Sequence, residues 1–163
     1  MVLIGDGTTK AVAVVDLRSS HRPVMVLGLG LLAVVAIDLA AMWWDPQLSA
    51  ASWVLRAVPQ TLGRMPMLLL ALALVGSSGL ISGSAPRVRV VAGAYFTVAI
   101  LVLLLGLRYG FAAIEVWPTV RPEMVSAFKR SGLATAALGF VYFVTCATLG
   151  IMIWKRTRTT RSR

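Results

Sequence analysis

Residues 24–44 of this chain read VMVLGLGLLAVVAIDLAAMWW, an apolar run long enough to cross a bilayer as one helix. The run contains a single acidic residue, Asp38, and no basic one. An ionised carboxylate within the hydrocarbon costs about 3 kcal/mol on insertion scales, so another group must compensate it. The run therefore predicts a membrane-spanning helix that carries one functional or structural acid.

The composition extends this prediction to the whole chain. Of the 163 residues, 58% are hydrophobic and 13% are charged, and the mean hydropathy is +0.84. Soluble domains carry about 25% charged residues, and a water-soluble fold of this size would leave much apolar surface in contact with water. Further apolar runs occur at residues 65–84, 90–107 and 132–154. We expect an all-α, polytopic membrane protein with four transmembrane helices in a single domain.

The connecting segments predict how the spans are joined. Residues 1–23 predict a cytoplasmic arm, since polar residues interrupt their apolar start too early for a signal peptide. The segment after the first span predicts a short interfacial helix that Pro59 ends, or else an ordinary loop. The short basic link between the second and third spans makes those helices antiparallel neighbours. Pro122 and Glu123 predict the first turn of a new helix leading into the fourth span.

The distribution of Lys and Arg predicts the orientation. With four spans both termini lie on one side, where ten of the 16 Lys and Arg residues fall, against six on the other side. The positive-inside rule then places both termini in the cytoplasm, in a plasma or inner membrane. The net charge of +10 also raises the possibility of nucleic-acid binding. The positions of the basic residues at the ends of apolar runs favour anionic lipid headgroups instead.

The basic segment 155–163 directly follows the fourth span. It predicts contact with anionic headgroups, or docking on an acidic face of a cytoplasmic partner. The residues expected to make this contact are Lys155, Arg156, Arg158 and Arg161.

Small residues at helical spacing predict surfaces for helix packing, because they let helix backbones approach closely. The second span contains a GxxxG pair, Gly79 and Gly83. The fourth span has small or packing residues along one face: Gly139, Tyr142, Cys146 and Gly150. These faces predict packing within the four-helix bundle, contact with a neighbouring subunit, or a substrate path along the helix seams.

Residues that commonly carry catalysis or bind cofactors are scarce. His21 is the only histidine and lies outside the spans, and Cys146 is the only cysteine. No HExxH, GxSxG, P-loop or dinucleotide-binding pattern is present. The sequence predicts a protein that is not an enzyme and that alone binds no metal or cofactor. Contact with lipid or pigment at subunit interfaces stays open.

Asp38 has three possible roles. It is paired or protonated within the bundle, paired with a polar group of another subunit, or part of a proton or cation relay. The cations predicted on the outer side, as candidate partners, are Arg56, Arg64, Arg108, Lys129 and Arg130. Because the spans carry no second acidic, basic or histidine residue, pairing is favoured over a relay.

The functional prediction is a non-catalytic accessory subunit of a larger integral-membrane complex, either an energy-transducing or a transport assembly. It rests on the packing faces and the lack of catalytic patterns. The alternative is an autonomous small transporter or channel that works as a homo-oligomer, with Asp38 as its ion site. A phage-type lysis protein with a basic tail is a third possibility, and a small membrane enzyme is the least favoured.

Overall fold

A computed structural model describes residues 21–44 and 50–159 of the protein, and almost all of them are helical. Four helices are each long and apolar enough to span a membrane. They are α1 (His21–Trp43), α2 (Ala51–Ile81), α3 (Ala85–Val116) and α4 (Val125–Thr159). The all-helical prediction with four candidate spans is confirmed. The last three helices are longer than the apolar runs that predicted them.

Each helix packs against the next one along the chain, and α2 also touches α4. Contacts between the beginning of one helix and the end of the next show that neighbours are antiparallel, as with Gly28 against Val75 and Gly150 against Phe96. Within the described residues, α1 packs extensively only against α2. α1 is therefore an edge helix, with most of its surface outside the bundle.

α2 is one continuous helix that includes Pro59 and Pro66. The predicted short helix ending at Pro59 is therefore wrong in its end point, because the segment before Pro59 is the first part of α2. An interior proline removes a backbone hydrogen bond and costs about 3 kcal/mol. Val54, Val58 and Leu62, which flank Pro59, are almost completely buried. Their packing holds the helix together through the proline.

The turn between α2 and α3 is built around Gly83, whose φ is +65°. Ser84 donates a backbone hydrogen bond to the Gly79 carbonyl, and Gly83 donates one to the Leu80 carbonyl. This pair of bonds is the Schellman motif, which requires a left-handed residue after the helix and so favours glycine. Gly83 thus ends α2 and is not part of a packing face, which differs from the GxxxG prediction.

The core lies where α2, α3 and α4 meet. Val58, Ala92, Val102 and Cys146 have 2% or less of their surface exposed. Inside a bilayer such packing stabilises the bundle by van der Waals contact, since lipid tails are as apolar as the side chains. α2 therefore packs against α3 and α4 in the core on one side and against α1 on its other side.

α2, α3 and α4 extend beyond the end of α1. Trp43 near the end of α1 is level with Thr61, because the two side chains are hydrogen bonded. α2 begins ten residues before Thr61, about 15 Å farther along the axis. At the same end α3 and α4 are joined by two 3₁₀ turns, Trp117–Thr119 and Pro122–Met124.

Candidate functional site

Asp38 forms an ion pair across the seam between α1 and α2. Its Oδ2 atom lies 2.9 Å from Nε of Arg64. The Arg64 side chain is 47% exposed and the Asp38 side chain is 44% exposed. Arg64 was one of the cations expected near Asp38, and the structure brings the two together. The pair lies at the bundle surface rather than among the core residues.

A groove adjoins this ion pair. Its volume is about 420 Å³, and it is lined by Met42, Gln60, Gly63 and Arg64. On α2, Arg56, Gln60 and Arg64 are exposed and follow one another at intervals of four residues, so they lie along one side of the helix. We call these three residues together with Asp38 the polar strip.

Hydrogen bonds and aromatic contact fix α1 against α2 about one turn from the ion pair. The Trp43 indole Nε1 donates to Thr61 Oγ1 over 3.1 Å, and that hydroxyl donates to the Ala57 carbonyl over 2.8 Å. The ring of Trp53 meets the ring of Trp43 edge-on, with 4.9 Å between centroids. Indole groups in this arrangement are typical of the membrane interface.

The spacing along the helices gives the depth of the ion pair. Asp38 precedes Trp43 by five residues, about 7.5 Å, and Arg64 follows Thr61 by three residues, about 4.5 Å. Asp38 and Arg64 therefore lie nearer the middle of the bundle than the indole groups do. Gly79 packs against Val88 in the antiparallel pair of α2 and α3, which makes Arg64 level with residue 103. Arg108 lies five residues farther along α3, so Arg64 is about 7.5 Å nearer the bundle middle than Arg108.

Apart from Gly83, the residues predicted to form packing faces lie between helices of this chain. A Cβ atom at Gly79 would be 3.3 Å from Cβ of Arg87, and one at Gly150 would be 3.2 Å from the Phe96 ring. Gly139 faces Leu62 on α2 at 3.8 Å by the same measure. Cys146 is fully buried, and Tyr142 is partly buried against the core. These glycines permit close contact of α2 with α3 and of α4 with α2 and α3.

The basic tail is described only in its first part. Lys155 and Arg156 are exposed near the end of α4. Arg158 belongs to the same helix, and Arg161 lies outside the described residues, as do most residues of the predicted N-terminal arm.

A second cavity, of about 420 Å³, lies between α2, α3 and α4. Its lining is almost entirely apolar and includes Gly106 and Gly110 of α3 and Gly132 and Gly139 of α4. The hydroxyl of Thr135, one of the few polar atoms in the lining, donates to the backbone carbonyl of Ser131. The cavity therefore offers an apolar volume rather than a polar reaction site.

No group of three His, Cys, Asp or Glu side chains that could hold a metal ion occurs within residues 21–44 and 50–159. Comparisons with protein-family models, with curated proteins and with solved structures gave no match to this chain. The fold by itself defines the class, an all-helical protein with four helices fit to cross a membrane.

Sequence reasoning did not find the polar strip as a unit. The signal was the four-residue spacing of Arg56, Gln60 and Arg64, which places them on one side of a helix. That spacing has meaning only if the helix continues through Pro59, and proline was read as its end. Sequence reasoning also did not predict the cavity at Gly106 and Gly110, because a cavity depends on the distances between helices.

Proposed function

We propose that this protein is a non-catalytic subunit of a larger integral-membrane assembly, of the energy-transducing or transport kind. The edge formed by α1 and α2 is the surface that another membrane subunit covers. The observation that carries this proposal is the ion pair of Asp38 and Arg64, which is nearly half exposed at the side of the bundle.

The physical reason is the poor solvation of charge by lipid. Ionisable side chains within a membrane face a bundle interior or a water-filled cavity and pair with one another. Asp38 and Arg64 are paired, but their outer surfaces face away from the bundle. Gln60 adds an exposed amide one turn from Arg64. A neighbouring helix with polar groups would satisfy the remaining donors and acceptors, which lipid tails cannot do.

The placement of the ion pair relative to Trp43 and Arg108 supports a position within the hydrocarbon. Arg108 follows the apolar run of α3, and tryptophans such as Trp43 are typical of a membrane interface. The ion pair lies nearer the middle of the bundle than either of these residues. The apolar surface of α1, including Val26, Leu27 and Ile37, suits either lipid or a protein neighbour. The polar strip is what favours a protein neighbour.

The same proposal includes an orientation. Because neighbouring helices are antiparallel, Arg22, Arg87, Arg89 and Lys155 belong to one end of the bundle. We place this end, with both termini, on the cytoplasmic side of a plasma or inner membrane, where anionic headgroups attract basic residues. Arg158 and Arg161 of the tail strengthen this contact.

A second candidate function is an autonomous transporter or channel formed by several copies of this chain. The groove beside the ion pair, lined by Gln60 and Arg64, favours it, because a second copy could close the groove into a polar path. Asp38 would then be the ion site. The two candidates differ in the identity of the neighbour at the polar strip.

The experiment that separates them places a photo-crosslinking amino acid at Gln60 of the tagged protein in its native membrane. The matched control places it at Leu133, which is 74% exposed on α4. The subunit proposal expects Gln60, but not Leu133, to crosslink a different membrane protein at fixed stoichiometry, and native mass spectrometry in mild detergent to show the same complex. A crosslink only between copies would support the channel, and a monomer without specific crosslinks would contradict both.

A further inference from the structure

One side of α2, next to the ion pair, has the pattern of a helix-packing face. Gln60, Gly63, Met67 and Leu70 are all exposed and follow one another at intervals of three and four residues. This spacing places them in one row, which can interlock with the side chains of a facing helix. The row borders α1 at the groove, where Met42 forms the opposite wall. A membrane-spanning helix lying in this groove would therefore contact α1 and α2 together.

Gly63 lets the backbone of a neighbouring helix come close at this point. It lines the groove, and a Cβ atom at Gly63 would have no atom of this chain within 4 Å. Small residues at contact positions are the means by which membrane helices approach one another and gain van der Waals contact. At such a short separation, even a short side chain of the neighbour can reach the polar atoms of Gln60 and Arg64.

Charge decides which side chain the neighbour can present to the ion pair. The formal charges of Arg64 and Asp38 cancel, since their polar atoms are 2.9 Å apart. Arg56, the other cation of the polar strip, lies about 12 Å from Arg64, toward the beginning of α2. A carboxylate or a cation of the neighbour at the level of the ion pair would therefore lack a counter-charge, which is costly within a membrane. An uncharged neighbour keeps the site neutral.

The ion pair also has hydrogen-bonding groups that a neighbour can satisfy. A guanidinium carries five N–H donors, and even a bidentate ion pair uses only two of them. The side chains of Arg64 and Asp38 are 47% and 44% exposed, so both keep polar atoms at the surface of the bundle. Serine, threonine, asparagine and glutamine can hydrogen bond between membrane helices without adding charge. A purely apolar helix would leave these atoms unsatisfied.

We propose that the groove between α1 and α2 holds one transmembrane helix of the partner subunit. This helix places an uncharged hydrogen-bonding side chain, rather than a carboxylate or a cation, against Asp38 and Arg64. The assignment rests on the proposed function and adds the chemistry of the partner. It also gives the site specificity, because a helix with a charge at this level is rejected and an apolar helix leaves polar atoms unpaired.

The test follows the complex between this chain and the membrane protein that crosslinks at Gln60, as the purified complex is diluted in mild detergent. Asp38→Asn and Arg64→Gln each leave one uncompensated charge in the interface, and we expect each to weaken the complex at least about tenfold. The combined variant removes both charges and keeps two uncharged amides, so we expect it to weaken the complex less than about threefold.

Other patterns of binding would overturn the proposal. A complex that tightens with Asp38→Asn would show that the partner carries a carboxylate, and one that tightens with Arg64→Gln would show that it carries a cation. Loss of the complex by the combined variant would mean that the partner requires the charges themselves.

A substitution away from the ion pair keeps the test valid if a charge variant fails to fold. Gly63→Leu fills the groove from a position with free space around it, and we expect the complex to weaken about tenfold. Gly93→Leu on α3 is the matched control, because Gly93 is also exposed and has equal space around it. Equal complexes from these two variants would overturn the groove as the contact. A dimer of this chain as the sole complex would identify a second copy as the occupant instead. Absence of any complex with the unaltered chain would contradict the proposed function itself, which distinguishes the two failures.

Discussion

Asp38→Asn is the substitution that most directly tests the ion pair between α1 and α2. The change keeps the shape of the side chain but leaves the Arg64 guanidinium without its counter-charge at 2.9 Å. An unpaired arginine at the centre of a membrane helix costs about 2.5–3.5 kcal/mol on insertion scales. The cost here is smaller, because Arg64 is 47% exposed and its side chain can extend toward the interface. We expect a loss of about 1–3 kcal/mol in the free energy of unfolding.

The assay is equilibrium unfolding in mixed micelles with increasing dodecyl sulfate, followed by far-ultraviolet circular dichroism. Arg64→Gln and the combined variant complete a double-mutant cycle. We expect the unfolding free energy lost by the combined variant to be at least about 1 kcal/mol smaller than the sum of the losses of the two single variants. The reason is that the combined variant leaves no unpaired charge. Glu123→Gln, the same chemical change in the exposed turn before α4, is the control and should cost no more than about 0.5 kcal/mol, the small loss expected when a carboxylate leaves the start of a helix.

Two results would refute this reasoning. If Asp38→Asn changed the unfolding free energy by less than about 0.5 kcal/mol, as surface substitutions do, the pair would not stabilise the bundle. If the effects of Asp38→Asn and Arg64→Gln were additive, the two side chains would not interact in the membrane.

Three further substitutions test the helix contacts and the turn. Gly28→Val should destabilise the protein by about 1–3 kcal/mol in the same assay, since its Cβ would lie 2.9 Å from an α2 side chain. The control is Gly30→Ala, whose Cβ would have no atom within 4 Å, and it should be neutral or slightly stabilising. Gly83→Ala should cost about 1 kcal/mol, because alanine disfavours a φ of +65°; an unchanged unfolding midpoint would show that the turn rearranges. Thr61→Val removes the acceptor of the Trp43 indole and should cost about 1–2 kcal/mol in the same assay. A cost below about 0.5 kcal/mol would mean that this hydrogen bond does not stabilise the bundle.

The course of α2 shows where sequence reasoning was correct and where it failed. The apolar run at residues 65–84 predicted a span, and most of it belongs to α2, a helix long and apolar enough to cross a membrane. The segment before it was split off because Pro59 usually ends a helix in water. The helix continues because Val54, Val58 and Leu62 are buried against other helices, and that packing is not visible in the local sequence.

Asp38 shows the same contrast between what the sequence predicts and what the packing of the helices decides. Its uniqueness within an apolar run made it the residue to explain, and five cations were possible partners. Only the antiparallel packing of α1 on α2 selects Arg64 among them. The exposure of the pair also depends on packing, because it follows from the position of α1 at the edge of the bundle.

The sequence by itself determined the helical class and the four apolar segments, since both follow from composition and from the length needed to cross a bilayer. It also determined that an acid within the run at residues 24–44 needs a compensating group. The tertiary structure decided which cation compensates Asp38, which side of α2 is polar and exposed, and where four glycines leave a cavity. These features are distances between segments far apart in the chain, and local patterns do not encode such distances.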